Sequence, residues 1–169
     1  MTPLVLYPAE VLKQKCSPVT EFNEELRKFV RELETALYRY RGAGIAAPQL
    51  SNPIRIISLL VNNEATTFIN PEIVEFGGNI FKTYEGCLSI PGMKAKLNCR
   101  HDLLHLVGRT IEDKKIEHHL MSAEAVAAQH ECDHLEGITL FNRMGKAQRE
   151  LKKNNYLKRI RKWKKKNKR

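Results

Sequence analysis

The 169-residue sequence is poor in cysteine, in aromatic side chains (7%) and in uninterrupted apolar runs. Its four cysteines, Cys16, Cys87, Cys99 and Cys132, are too few and too scattered for a disulfide framework, which excludes a small secreted scaffold. The longest apolar stretch, Ile56 to Val61, is interrupted by Ser58 and falls far short of the roughly 20 residues that span a bilayer. No cation precedes the first apolar residues, and Pro3 and Pro8 break them up, so Met1 to Glu10 does not read as a signal peptide. Internal repeats and Gly/Ser-rich linkers are absent as well. What remains is one domain's length of chain with 42% hydrophobic residues, enough to bury a core.

Acid is scarce at one end. Residues 143–169 hold fourteen Lys and Arg against the single acid Glu150, a balance of +13. The remaining 142 residues hold fifteen basic and eighteen acidic side chains, a balance of −3. The overall charge of +10 therefore describes two objects, a slightly acidic body (1–142) and a basic extension (143–169).

Leu26, Phe29, Val30, Leu33 and Leu37 recur at helical spacing and predict an amphipathic helix from about Asn23 to Tyr40. Strands are expected at Ile54–Val61, Thr66–Ile69, Glu72–Phe76 and Ile80–Thr83, separated by Asn62-Asn63-Glu64, Asn70-Pro71 and Gly77-Gly78. A hairpin is expected from Leu103–Ile111 and Ile116–Met121. A second helix should begin at Ser122 as N-cap and stop at Gly137. The fold class is α+β: antiparallel strands around a central helix, with an N-terminal helix and a basic C-terminal helix.

The chemistry concentrates at His130-Glu131-Cys132-Asp133-His134. Histidines four apart share a helix face and can bind one metal ion, while Glu131 lies beside them, able to take a proton from activated water. The plainer alternative is a chance string on a buried helix. Ala123, Val126, Ala127, His130 and His134 form one stripe, so both imidazoles are expected to face inward, where a shared metal would satisfy them. Cys132 points elsewhere and reads as packing. A third ligand could be Cys87, in Glu85-Gly86-Cys87-Leu88-Ser89, or more weakly Glu136 or Glu150. Finally, Gly42-Ala43-Gly44-Ile45-Ala46-Ala47-Pro48-Gln49 pairs glycines that allow close backbone approach with an amide that can donate to an oxyanion. Its plainer reading is a helix C-cap.

In this order, Gly-x-Gly-x-Ala-Ala-x-Gln, Glu-Gly-Cys-x-Ser and His-Glu-x-x-His resemble the motifs of the peptide deformylases, a resemblance running over about residues 3 to 143 and including Leu6-Tyr7-Pro8 and Ile90-Pro91-Gly92. It implies a hydrolase that removes the formyl group from N-formylmethionyl nascent peptides, releasing formate. It implies that Cys87, His130 and His134 hold one divalent metal, ferrous iron first, with zinc, nickel or cobalt as alternatives. Glu131 matches the general acid/base, and Gln49 and the Leu88 backbone N–H match the oxyanion-stabilising groups. Gly44 lies where substrate backbone pairs, Glu85 supports the ligands, and Ala123, Val126 and Ala127 would line the methionine pocket. A cytosolic monomer is expected, in a bacterium or phage-infected host, with an organelle left open.

Two positions depart from the family pattern. Ser122-Ala123-Glu124-Ala125 replaces a Gly-Leu-Leu-Ala run, putting a charge in an apolar slot. Cys99 stands where an arginine is usual, so Arg100 becomes the candidate partner of Asp133. His101, His105, His118 and His119 do not read as a second metal site. In the extension, Ala147, Leu151, Tyr156, Leu157, Ile160 and Trp163 suggest a basic amphipathic helix over Lys146 to Lys165. It could pack on the body, bind ribosomal RNA or lie on an anionic membrane. Two rival readings of the whole chain are a ribosome- or RNA-binding module on an inactive deformylase-like body, and a zinc peptidase.

Overall fold

The structure, a computed structural model, describes residues 2–166, with side chains through residue 162. Helix α1 (Glu24–Arg39) is followed by strands β1 (Gly44–Ala46), β2 (Ile56–Val61), β3 (Glu64–Gly86), β4 (Lys94–Arg109) and β5 (Lys115–Met121). Helices α2 (Ser122–Leu135) and α3 (Lys146–Lys166) complete it. The five strands form one antiparallel sheet in sequential order. This is the expected α+β class.

Asn23 caps α1 by accepting a hydrogen bond from the Leu26 N–H at 2.9 Å, so the helix begins one residue inside the expected start. The apolar run of β2 is explained by burial on both faces. Ile57, Leu59 and Val61 pack with Phe68, Leu104, Leu106, Leu120, Ala125 and Ala128 toward α2. Ile56 packs with Leu33, Leu37 and Ile69 toward α1. The sheet is thus sandwiched between the first two helices. A two-residue turn with Asn62 (φ 51°) and Asn63 (φ 66°) joins β2 to β3, the left-handed conformations that asparagine tolerates.

The strand segments expected between 66 and 83 are one continuous 23-residue strand. The two anticipated breaks are register shifts, at Ile69/Glu72 and Gly77/Ile80, and two further shifts fall at Ile73/Glu75 and Phe81/Thr83. At the first, Pro71 lacks a donor that an irregular ladder does not need, and Asn70 exchanges two 2.8 Å hydrogen bonds with the Val19 backbone. The hairpin of β4 and β5 starts earlier than expected, since β4 also includes Lys94 to Asp102. There the Gln129 amide of α2 accepts from the His101 N–H (3.1 Å) and donates to the His101 carbonyl (2.8 Å), pairing with backbone that β5 does not reach.

Ser122 is not the N-cap expected of it. Met121 occupies that position in extended conformation, and Ser122 itself is left-handed (φ 52°), turning the chain directly from β5 into α2 without a loop. The charge at Glu124 does not enter an apolar slot, because its carboxylate accepts the Asn62 N–H at 2.9 Å.

Helix α3 packs on the body, but not along the whole expected stripe. Tyr156 is buried with Tyr7 and Phe141, and Leu157 and Ile160 pack beside them. Ala147 and Leu151 face solvent, whereas Lys152, next to Leu151, reaches the Lys94 carbonyl; the Trp163 side chain lies outside the described residues. No helix among the described residues is long and apolar enough to cross a membrane.

Candidate metal centre

The chemistry-bearing residues come from three places. The end of β3 delivers Glu85 and, one turn on, Cys87 and Ser89, with the Ile90 N–H closing the turn on the Cys87 carbonyl at 2.9 Å. A short 3₁₀ turn at Ala47–Leu50 delivers Gln49. Helix α2 delivers His130, Glu131 and His134.

Ligand atoms of Cys87, His130 and His134 lie within 4.8 Å of one another, all three residues buried, and this is the one such group among the described residues. Cys87 Sγ is 3.2 Å from His134 Nε2. The Glu85 carboxylate lies 3.0 Å from His130 Nδ1. A carboxylate only accepts, so Nδ1 carries a proton and Nε2 is the nitrogen turned toward the cluster; although burial opposes its charge, Cys87 and Glu85 hold this imidazole well above the ordinary histidine range. Burial drives His134 well below the ordinary histidine range, leaving it neutral, as a ligand must be. One thiolate and two imidazoles fit a borderline-soft divalent ion, with a tetrahedral position left over. Glu136 instead pairs with Arg55 (2.5 Å) and Lys15 (3.1 Å) on the surface, and Glu150 is exposed on α3; neither joins the cluster.

Glu131 is 5% exposed and its Oε2 has no hydrogen-bond partner among the described residues. Burial raises its carboxyl to about 7, against the pull of His130 and Arg100. A half-protonated buried carboxyl at neutral pH is suited to proton transfer.

Behind the ligands runs a charged network. Arg100 donates to Glu85 at 2.9 Å (Nε) and 3.0 Å, and to Asp133 at 2.8 Å. Thr83 Oγ1 donates to Glu85 at 2.8 Å, and Arg143 grips both oxygens of Asp133. The substitution at Cys99 is therefore met by its neighbour, because Arg100 points inward from β4. Arg143 went unrecognised in the sequence; an arginine ten residues after an aspartate carries no local signal of pairing.

Gln49 is 1% exposed. Its Oε1 accepts the Ala46 N–H (2.8 Å), which turns Nε2 toward Ser89 Oγ (3.1 Å) and Cys87 Sγ (3.9 Å). Neither glycine before it is the left-handed residue of a helix cap, although Gly42 takes part in one. A Schellman pair closes α1, with Arg41 N–H to the Tyr38 carbonyl and Gly42 N–H to the Leu37 carbonyl (both 3.1 Å), and the left-handed residue is Arg41 (φ 53°). The glycines serve close approach. A Cβ on Gly42 would lie 2.9 Å from the Gly44 carbonyl oxygen, and one on Gly44 2.7 Å from Glu131 Cγ.

A cavity of about 1250 Å³ opens over this cluster, lined by Gly44, Leu88, Ala123, Val126, Ala127, His130 and Glu131 among others. Ala123 is exposed at its edge and Val126 half-buried, so the helical stripe faces this cavity; the core under α2 is filled by Ala125 and Ala128 instead. Of the other histidines, His105 and His119 stack as cross-strand neighbours, and His118 lies edge-on to Phe68 across the sheet, so they do not gather around an ion.

A Cys/His/His cluster with a buried carboxylate beside it, at the floor of a cavity, is a candidate metal centre with the donor set of a mononuclear metallohydrolase. The family model described as Polypeptide deformylase matches residues 1–150. A peptide deformylase of Wolinella succinogenes is 37% identical, covering 90% of this chain and 96% of its own length. One from Hydrogenovibrio crunogenus is 40% identical, covering 79% and 80%. The crystal structure of the Thermotoga maritima peptide deformylase superposes with a TM-score of 0.81 at 30% identity, covering 86% of this chain and 98% of that one. That of Legionella pneumophila gives 0.88 at 27% identity, covering 95% and 96%. The chain belongs to the polypeptide deformylase family.

Proposed function

We propose that this protein hydrolyses the formamide of N-formylmethionyl nascent peptides, releasing formate and leaving a free N-terminal amine. The observation that carries this reading is the convergence of Cys87, His130, His134 and the unpartnered Glu131 at the floor of one cavity.

Cys87, His130 and His134 would hold one divalent ion, ferrous iron first, with zinc, nickel or cobalt accepted by the same donors. Such an ion supplies a Lewis acid that makes water nucleophilic at neutral pH. Glu131 takes the proton of the attacking water and delivers it to the departing nitrogen as the formyl C–N bond breaks, and its carboxyl near 7 allows both directions. Gln49 Nε2, already aimed at Cys87, and the Leu88 N–H donate to the oxygen that gains charge. Glu85 holds His130 in the tautomer that leaves Nε2 free. Gly44, on the edge strand β1, offers backbone to the peptide, and Ala123, Val126 and Ala127 face the methionine side chain.

Residues 1–142 are the catalytic body in this reading, acting as a cytosolic monomer, and 143–169 the basic extension. Lys158, Arg161 and Lys162 are exposed on α3, which supports contact with ribosomal RNA. Reversing these three charges should abolish salt-sensitive co-sedimentation with ribosomes; unchanged co-sedimentation would remove that role.

The test of the activity is formate release by protein loaded anaerobically with ferrous iron. Glu131→Gln should keep metal and lose about 10²- to 10⁴-fold in turnover, and Cys87→Ala should lose metal. No formate from folded, metal-loaded protein overturns the reading. Cleavage of unformylated peptides would favour a peptidase.

A further inference from the structure

We propose that the mouth of the cavity selects formylated peptides with acidic side chains in the residues after methionine, and that Arg41, Lys94 and Lys152 are the specificity-determining groups. This rests on the deformylase reading and extends it to the rest of the substrate.

Burial divides the cavity lining into floor and mouth. Cys87, His130 and Glu131 are buried; Arg41, Tyr84 and Lys94 are exposed and Lys152 is half-buried. With the formyl group at the floor, the residues following methionine leave past these side chains. The charges there have one sign. Among the described residues the only acids lining the cavity are Glu131 and Glu85, both on the floor, and Glu85 is bound by Arg100 and His130. The mouth is thus cationic on a body whose balance is −3.

Nor are these cations already used. Among the described residues no carboxylate contacts the side chain of Arg41 or Lys94, whereas Arg27, Arg31, Arg55 and Lys115 elsewhere on the surface all meet glutamates. Lys152 reaches over from α3 and donates to the Lys94 carbonyl at 2.6 Å, which fixes its charge at the rim. The basic extension therefore contributes directly to the active-site entrance.

Arg41 adds an independent observation. It occupies the left-handed position of a Schellman motif, where glycine fits without strain and an L side chain does not. Replacing that side chain by glycine is compatible with the backbone there, which isolates its charge at the mouth.

Exposed pairs of opposite charge each change binding by roughly two- to fivefold, and they weaken with salt. Three cations around one exit should favour an acidic over a basic peptide by about tenfold in kcat/KM at low ionic strength. The experiment compares formate release from formyl-Met-Ala peptides extended by two glutamates, two serines or two lysines. All are C-terminally amidated so that no terminal carboxylate intervenes. The acidic peptide should lead, its advantage should shrink with added salt, and Arg41→Gly and Lys152→Glu should each reduce the acidic-to-basic ratio. Because Arg41→Gly relieves strain, that variant stays folded. Equal rates for the three peptides, or a ratio untouched by both substitutions, would overturn the mouth assignment and leave the deformylase reading standing. Formate from none of them would bring down the deformylase reading itself.

Discussion

Arg100 binds both oxygens of Glu85, at 2.9 and 3.0 Å, while its remaining NH1 donates to Asp133 at 2.8 Å, all of it nearly sealed from solvent. One guanidinium thus joins the carboxylate that orients His130 to the carboxylate one residue before His134. It thereby fixes the carboxylate that holds His130 and the turn of α2 that carries His134.

Arg100→Leu should accordingly leave two buried carboxylates without their shared partner. Removing one member of a buried ion pair costs about 3–5 kcal/mol, which urea unfolding would register. Metal affinity should fall by roughly 10- to 100-fold, as it does when a supporting group behind a ligand is lost. Arg100→Lys keeps the charge without the two-pronged geometry, so its metal affinity should fall between wild type and Arg100→Leu.

Glu85 sets an acid limit on the fold. Burial would raise its carboxyl, but hydrogen bonds from His130 and Arg100 hold it down to about 2. A depressed carboxylate contributes stability above its unfolded value of about 4.3, and this is lost as pH falls toward 2. The contribution is on the order of 3 kcal/mol. Melting temperatures of the metal-free protein between pH 5 and 2 should drop steeply, and Glu85→Gln should lower stability at pH 7 while flattening that slope.

Gly44→Ala should damage catalysis more than folding. Its Cβ would press on Glu131 Cγ, the carboxylate's own stem. Displacing a reacting group by about 1 Å can cost of the order of 10²-fold in rate, so formate release should fall by that order with metal content retained. A variant with normal activity would mean that Glu131 has room to move.

Tyr156 anchors the basic extension. Its ring packs with Tyr7 and Phe141, and its hydroxyl donates to the Tyr7 carbonyl at 3.1 Å. Tyr156→Ala should cost about 3–5 kcal/mol, as large-to-small changes of buried aromatic side chains do. Leu151→Ala on the exposed side of the same helix should stay within about 0.5 kcal/mol. Thermal melts of the two variants separate a docked helix from a loose one.

Elements whose signal is local were legible in the chain. The α1 stripe and the asparagine turn at 62–63 follow from propensity and periodicity, and they recur in the structure with bounds shifted by only a residue or two. The pairing of His130 with His134 was legible because i, i+4 spacing is a property of any helix. The break at Asn70-Pro71 was misread because a bulge and a turn use the same residues, and only pairing with β4 tells them apart. The glycines at 42 and 44 were ambiguous for a similar reason: a cap is local, whereas contact with Glu131 spans 87 residues of chain.

By itself, then, the sequence determined the residue types of the centre, the helix that presents two of its ligands, the family and the separation of a basic extension from an acidic body. Tertiary structure decided that Cys87, and not Glu136 or Glu150, lies with those histidines, that Arg100 substitutes for an arginine expected one position earlier, and that α3 docks through Tyr156 and brings Lys152 to the cavity mouth. The physical reason is range. Helical periodicity and capping act within a few residues, while ligand geometry, ion pairing and cavity shape depend on distances between atoms that only folding brings together.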